Sequence, residues 1–204
     1  MSGKNRNSPI VQRFVRAGEG QAVDVTLHEA SASGTAAFSI DMSKTTVPDR
    51  SFTADILGID RNGHMFKLLF GQENVYGGGL LSLLVVQMAP HAIEQFVHSF
   101  ESIEASLATV ANGLPKGVLH TVTAKPDQMV VLKANMAISG FTGADGCLDF
   151  YNASPFSIQH VSATRKLPLE AVVRVQVPTA LMFTMLEELQ GKMNRSSEGW
   201  RLPT

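Results

Sequence analysis

Hydrophobic and polar positions along the chain follow two rhythms, and the change from one to the other organises the sequence. Val23, Val25 and Leu27 alternate with Asp24, Thr26 and His28, the period of two expected of a half-buried strand. Ala36, Phe38, Ile40 and Met42 repeat it after a polar turn region. Residues 52–59 and 64–70 read as a hairpin around Asp60-Arg61-Asn62-Gly63, because Asn-Gly tolerates the positive φ that a tight reversal needs. A loop ending in Gly77, Gly78 and Gly79 leads to Leu80–Met88, which is almost wholly apolar, as a strand covered on both faces would be. At Pro90 the period becomes helical. Ile93, Phe96, Val97, Phe100, Ile103 and Leu107 form one stripe, with His91, Glu94, His98 and Glu101 opposite. Proline in the first turn removes an N–H that would have had no intrahelical partner.

The second half follows the same plan. Residues 118–124 predict a short strand, 129–139 a long one, and 147–151 another after a glycine-rich turn at 140–146. Residues 157–164 and 169–177 predict one bent strand or two, ending at Pro178. A final helix carries Met182, Met185, Leu186, Leu189 and Met193 on one face. Laid over each other, the halves match Ala54-Asp55-Ile56 with Ala134-Asn135-Met136, Leu68-Leu69-Phe70 with Leu148-Asp149-Phe150, and Gly63 with Gly143. Val85-Val86-Gln87-Met88 falls near 173–177. The expected fold is therefore α+β: two tandem β4α units, an internal duplication, with antiparallel sheets and one amphipathic helix per unit. The expected boundaries are a flexible basic tail at 1–20, a first unit at 21–112, a linker at 113–117, a second unit at 118–194 and a tail at 195–204 that carries Trp200.

Composition narrows the function classes. The 204 residues suffice for one large domain or two small ones. Only 17% are charged and the net charge is −1, which provides no long-range field for nucleic acid or an anionic membrane. The low charge predicts that part of the surface is covered by a partner or another copy. A single cysteine, Cys147, excludes a disulfide within the chain and fits a reducing cytoplasm. No apolar run approaches the roughly 20 residues of a spanning helix, and no secretory signal is visible.

Four strands followed by a proline-started helix resemble the SecB-like fold family, known from a bacterial export chaperone and from small domains of the same type. The residues that carry the resemblance are Lys67-Leu68-Leu69-Phe70-Gly71, the apolar run and helix over 81–100, Leu148-Asp149-Phe150, and the run over 172–189. It spans about 36–107 and 118–192. The resemblance implies an oligomer of sheets with apolar grooves that bind unfolded or extended segments of other proteins. It transfers no individual site residue.

Candidate chemistry is sparse. His91, Glu94 and His98 share a helix face and are ligand types for Zn²⁺, but the two histidines lie about 10 Å apart along the axis, which favours a solvated face. Gly77-Gly78-Gly79 precedes a strand rather than a helix, so it reads as a loop, with a binding lid as the alternative. Cys147 has no basic sequence neighbour and reads as a buried structural thiol. Asp55, Asp60 and Asp149 would pair as carboxylates only if their strands aligned. No catalytic, cofactor or metal site is predicted. Leu181 and Phe183 lie off the main stripe of the last helix; together with Met182 and Met185 they form the candidate partner-binding surface. The reading that follows is a non-enzymatic binding protein, chaperone-like, for a protein partner or unfolded client. The alternative is a small-molecule binder or enzyme with a pocket between the two sheets.

Overall fold

The computed structural model describes residues 10–17, 20–28, 35–41, 46–62, 64–101, 126–142, 144–157 and 167–198. Three sheets and two long helices are the main elements of this part of the chain. Strands β1 (Ile10–Ala17), β2 (Gly20–His28) and β3 (Thr35–Asp41) form an antiparallel meander. Within the segment expected as a basic tail, β1 pairs Ile10 with Leu27 and Ala17 with Gly20.

The remaining strands build two four-stranded sheets, and the α+β class follows directly. In chain order they are β4 (Ser51–Thr53), β5 (Ile56–Asn62), β6 (Met65–Glu73) and β7 (Leu80–Met88), then helix α1 (Pro90–Glu101). They continue with β8 (Gln128–Lys133), β9 (Met136–Thr142), β10 (Asp145–Ala153) and β11 (Leu169–Pro178), then helix α2 (Thr179–Glu198). Residues 52–59 and 129–139, each expected as one strand, are broken at Ala54-Asp55 and Ala134-Asn135. The break has a topological consequence. The first sheet runs β5-β6-β7-β8 and the second β4-β11-β10-β9, so each half of the chain lends its leading strand to the other half's sheet.

Both lent strands pair in parallel, β8 with β7 and β4 with β11, which corrects the expectation of purely antiparallel sheets. The bonds at the two crossings are equivalent. The Ala54 N–H donates to the Gln176 carbonyl at 2.8 Å, and the Ala134 N–H to the Gln87 carbonyl at 3.0 Å. One residue on, the Asp55 and Asn135 N–H groups each donate at 3.1 Å, to the Gly71 and Tyr151 carbonyls. Ala54 and Ala134 are buried, so these peptide groups must find protein partners, and the exchange supplies them.

Alternation then decides which side chains face inward. Phe66, Leu68 and Phe70 of β6 and Leu84, Val86 and Met88 of β7 lie in one core with Leu148 and Phe150 of β10 and Val173, Val175 and Val177. Phe70 and Phe150 meet edge to face, with ring centroids 5.8 Å apart, where the two inner faces touch. Each helix reaches across: α1 packs near β6 and β9, and α2 near β5, β10 and β11. Ala92, Ile93, Phe96 and Val97 of α1 join Met182, Met185, Leu186 and Leu189 of α2 in the core. Gly146 marks one close approach. A Cβ there would lie 2.5 Å from the Met182 Cε, the flexible end of a side chain that would have to move aside. The prolines are not equivalent, for Pro90 opens α1 whereas Pro178 closes β11. The predicted strand at 118–124 and linker at 113–117 lie outside the described residues, as does Trp200.

Candidate functional site

Two surface regions carry chemistry, and the first is the outer face of the second sheet. Because Leu148 and Phe150 point into the core, the intervening Cys147, Asp149 and Tyr151 project to the other side. Register sets Asp149 opposite Arg174 and Cys147 opposite Gln176. The Arg174 Nε donates to Asp149 Oδ1 and its Nη2 to Asp149 Oδ2, both at 2.7 Å, a bidentate pair. Asp149 is buried while the Arg174 side chain keeps 32% of its surface. Beside them the Thr53 hydroxyl donates to Gln176 Oε1 at 3.3 Å, so the lent strand β4 joins this face.

An open cavity of about 1050 Å³ lies over these groups. Its walls include Cys147, Asp149, Tyr151, Arg174 and Gln176 from the second sheet, Asp55 at the crossing, and Gln72, Glu73 and Leu81 from the end of the first. Burial, then the nearby Asp149 carboxylate, raises the Cys147 thiol above its ordinary range, so it is held as a neutral thiol. The same two causes push the Tyr151 phenol up to about 12. The hydrogen bond and charge of Asp149 hold the Arg174 guanidinium above its ordinary value. The site therefore combines one neutralised ion pair with two protonated weak acids. Tyr151 is fully buried, and its hydroxyl has no hydrogen-bond partner among the described residues.

The second region is β8. It is an edge strand: β7 pairs with one side, and no strand among the described residues pairs with the other. Met129, Val130 and Val131 remain 60%, 53% and 48% exposed, which is unusual for three successive apolar residues of a strand. Met129 and Val131 share the outer face with Leu83, in line with exposed Leu81.

The residues singled out from sequence fall elsewhere. Met182 and Met185 are fully buried in the chain's own core, and Leu181 and Phe183 are half-buried against it. The apolar excess of α2 is thus explained by two sheets packing on one helix. Gly77, Gly78 and Gly79 form an exposed reversal organised by Asn74, whose Oδ1 accepts the Tyr76 and Gly77 N–H groups at 3.1 Å. Gly78 and Gly79 have φ of 69° and 86°, where a side chain is strained, so the glycines serve the turn. They do not line the cavity; the strand ends that they join do. Of the three aspartates, Asp55 and Asp149 border the same cavity, Asp55 accepting the Glu73 N–H at 3.4 Å, while Asp60 lies apart and pairs with Lys67 at 3.4 Å.

Among the described residues no group of three His, Cys, Asp or Glu side chains is placed to hold a metal ion. Nor is any helix among them long and apolar enough to cross a membrane. Sequence reasoning missed the Asp149–Arg174 pair. Its trace was one charge in each of two strongly apolar strands, CLDFY and VVRVQV. No family model matches the chain, and no curated protein or solved structure matches it.

Proposed function

We propose that this is a non-enzymatic protein that binds extended segments of other polypeptides along the free edge of β8. The observation that carries the reading is the run of exposed Met129, Val130 and Val131 on an edge with which no other strand among the described residues pairs. Such an edge offers backbone N–H and C=O groups in register, and apolar side chains on both faces add burial that does not depend on client sequence. An unfolded client or a second copy of the chain would be taken up in the same way, in keeping with the chaperone-like character implied by the SecB-like resemblance.

We also read the two halves as products of a tandem duplication. The constant offset from Ile56–Asn62 to Met136–Thr142 and from Met65–Glu73 to Asp145–Ala153 supports this, as do the equivalent bonds at Ala54 and Ala134.

The test is light scattering of a thermally unfolding client protein with near-stoichiometric amounts of this one, wild type against a Met129→Lys/Val131→Lys double variant. Charges on the edge should abolish suppression of aggregation. Because both positions are about half exposed or more, the variant's own stability should shift by no more than about 0.5 kcal/mol. Equal suppression by the variant, or none by the wild type, removes this reading.

A further inference from the structure

We propose that β8 pairs with β8 of a second copy of this chain, antiparallel about a two-fold axis centred on Val130, and that this pairing occludes the edge offered to polypeptide clients. The inference rests on the reading of β8 as a pairing edge and names the partner that covers it.

The strand's own hydrogen bonding sets which groups are on offer. The Ala134 N–H donates to the Gln87 carbonyl at 3.0 Å, towards β7. Backbone groups alternate in direction along a strand, so those of Leu132 and Val130 also point to β7, and those of Met129, Val131 and Lys133 point to the free edge. Side chains alternate as well. Leu132 packs against the core, which puts Val130 on the inner face and Met129 and Val131 on the outer one.

Symmetry then restricts the pairing. A parallel pair of two such edges would set the inner face of one sheet beside the outer face of the other. An antiparallel pair about an axis normal to the sheet joins like faces, so the axis must pass through a residue rather than between two.

Charge selects the residue. Centred on Val130, the pair sets Met129 opposite the partner's Val131, and Val130 opposite the partner's Val130. The same register sets Asp127 opposite the partner's Lys133, at both ends of the run. Both residues are exposed, and the Asp127 N–H holds to the Leu80 carbonyl at 3.4 Å, beside the start of β8. Centring one residue earlier puts Asp127 opposite the partner's Val131. Centring one later puts Lys133 opposite the partner's Met129. Opposite charges facing each other across an antiparallel pair attract, whereas these alternatives set charges against apolar side chains.

Single cysteines in a Cys147→Ala background, with oxidised glutathione as oxidant, read the register. In the central, non-hydrogen-bonded pair the Cα atoms lie about 4.5 Å apart, within the range of a disulfide. Val130→Cys should therefore cross-link to a dimer about tenfold faster than Met129→Cys or Val131→Cys, whose like positions lie diagonally at about 7–8 Å. All three positions are about half exposed or more, so the substitutions spare the core. In sedimentation equilibrium, Lys133→Asp should raise the dimer dissociation constant about tenfold, and adding Asp127→Lys should restore it. The oxidised Val130→Cys dimer should lose suppression of client aggregation and regain it on reduction.

Equal cross-linking at the three positions, or no effect of Lys133→Asp, overturns the register. No dimer up to about 1 mM overturns self-pairing and leaves the client reading standing. An oxidised dimer that still protects the client overturns the occlusion. A dimer with these properties whose reduced form never suppresses aggregation removes the client reading and leaves self-pairing standing.

Discussion

The two four-stranded sheets share a backbone plan and differ on their outer faces. The crossing bonds make Gln87 and Gln176 counterparts, which places the Leu69–Val85 pair of the first sheet where the second has Asp149–Arg174. At the next two positions of β6 the first sheet has Lys67 and Gly71, and the second has Cys147 and Tyr151. Inner faces show no such divergence: Leu68 and Phe70 answer to Leu148 and Phe150, all fully buried. A shared core must be filled at close-packed density, so inward positions are held to apolar volume. Outer positions are under no such constraint, and there the first sheet carries Lys67, Leu69 and Val85 while the second carries an ion pair, a thiol and a phenol over a cavity.

Asp149→Ala gives the largest effect expected from breaking this comparison. It strands the Arg174 guanidinium on a partly buried face and should cost about 2–3 kcal/mol, read as a lower urea midpoint. Converting both partners to their first-sheet counterparts, Asp149→Leu with Arg174→Val, should recover stability to within about 1 kcal/mol of wild type, because a buried ion pair is often replaceable by apolar volume. A double variant as unstable as the single one would show that the outer faces are not interchangeable.

The crossings give a smaller contrast. Asn135 donates to the Ala153 carbonyl at 2.6 Å and accepts the Ala153 N–H at 2.7 Å, whereas its counterpart Asp55 only accepts, at 3.4 Å. Asn135→Asp should destabilise by about 2 kcal/mol at neutral pH, since a carboxylate would face a carbonyl, and by less in acid once it can donate. Asp55→Asn should stabilise by about 0.5–1 kcal/mol. Thermal melts of the two variants settle the sign of each.

The smallest effect is confined to alkaline solution. The Tyr151 phenol is raised from 10.0 to about 12, so above pH 10 the unfolded chain releases a proton that the folded chain retains. Stability attributable to this group is complete below pH 10 and declines as the pH rises towards about 12. Tyr151→Phe should flatten that part of the decline. With glycine at the counterpart position, Gly71, the first sheet contributes nothing of the kind. Urea midpoints across this range, wild type against variant, measure it.

Much of the plan was legible in the chain. The period of two over 23–28, the hairpin strand at 64–70, the apolar Leu80–Met88 and the first turns of the helical stripe from Pro90 fall on β2, β6, β7 and α1, while Ile103 and Leu107 of the stripe lie outside the described residues. The match of Ala54-Asp55 with Ala134-Asn135 marks the two crossings, although nothing in the local pattern signals that strands change sheets there. The candidate site was far less visible. Asp149 and Arg174 are 25 positions apart, and their meeting depends on the β10–β11 register. Conversely, the methionines of α2 read as a partner surface because sequence shows how apolar a helix is without showing how many layers cover it.

Local pattern by itself determined where most strands and the two helices lie and which positions of the paired strands alternate, because these depend on periodicity and on the φ that Gly and Asn allow. Only the tertiary structure decided the exchange of β4 and β8, the exposed edge this leaves at Met129–Val131, and the assembly of Asp149, Arg174, Tyr151 and Asp55 around one cavity. The reason is physical. Strand pairing draws on backbone groups that every residue carries, so partner choice is set by which arrangement buries both apolar faces at once. That is a property of the whole packed chain and of no segment within it.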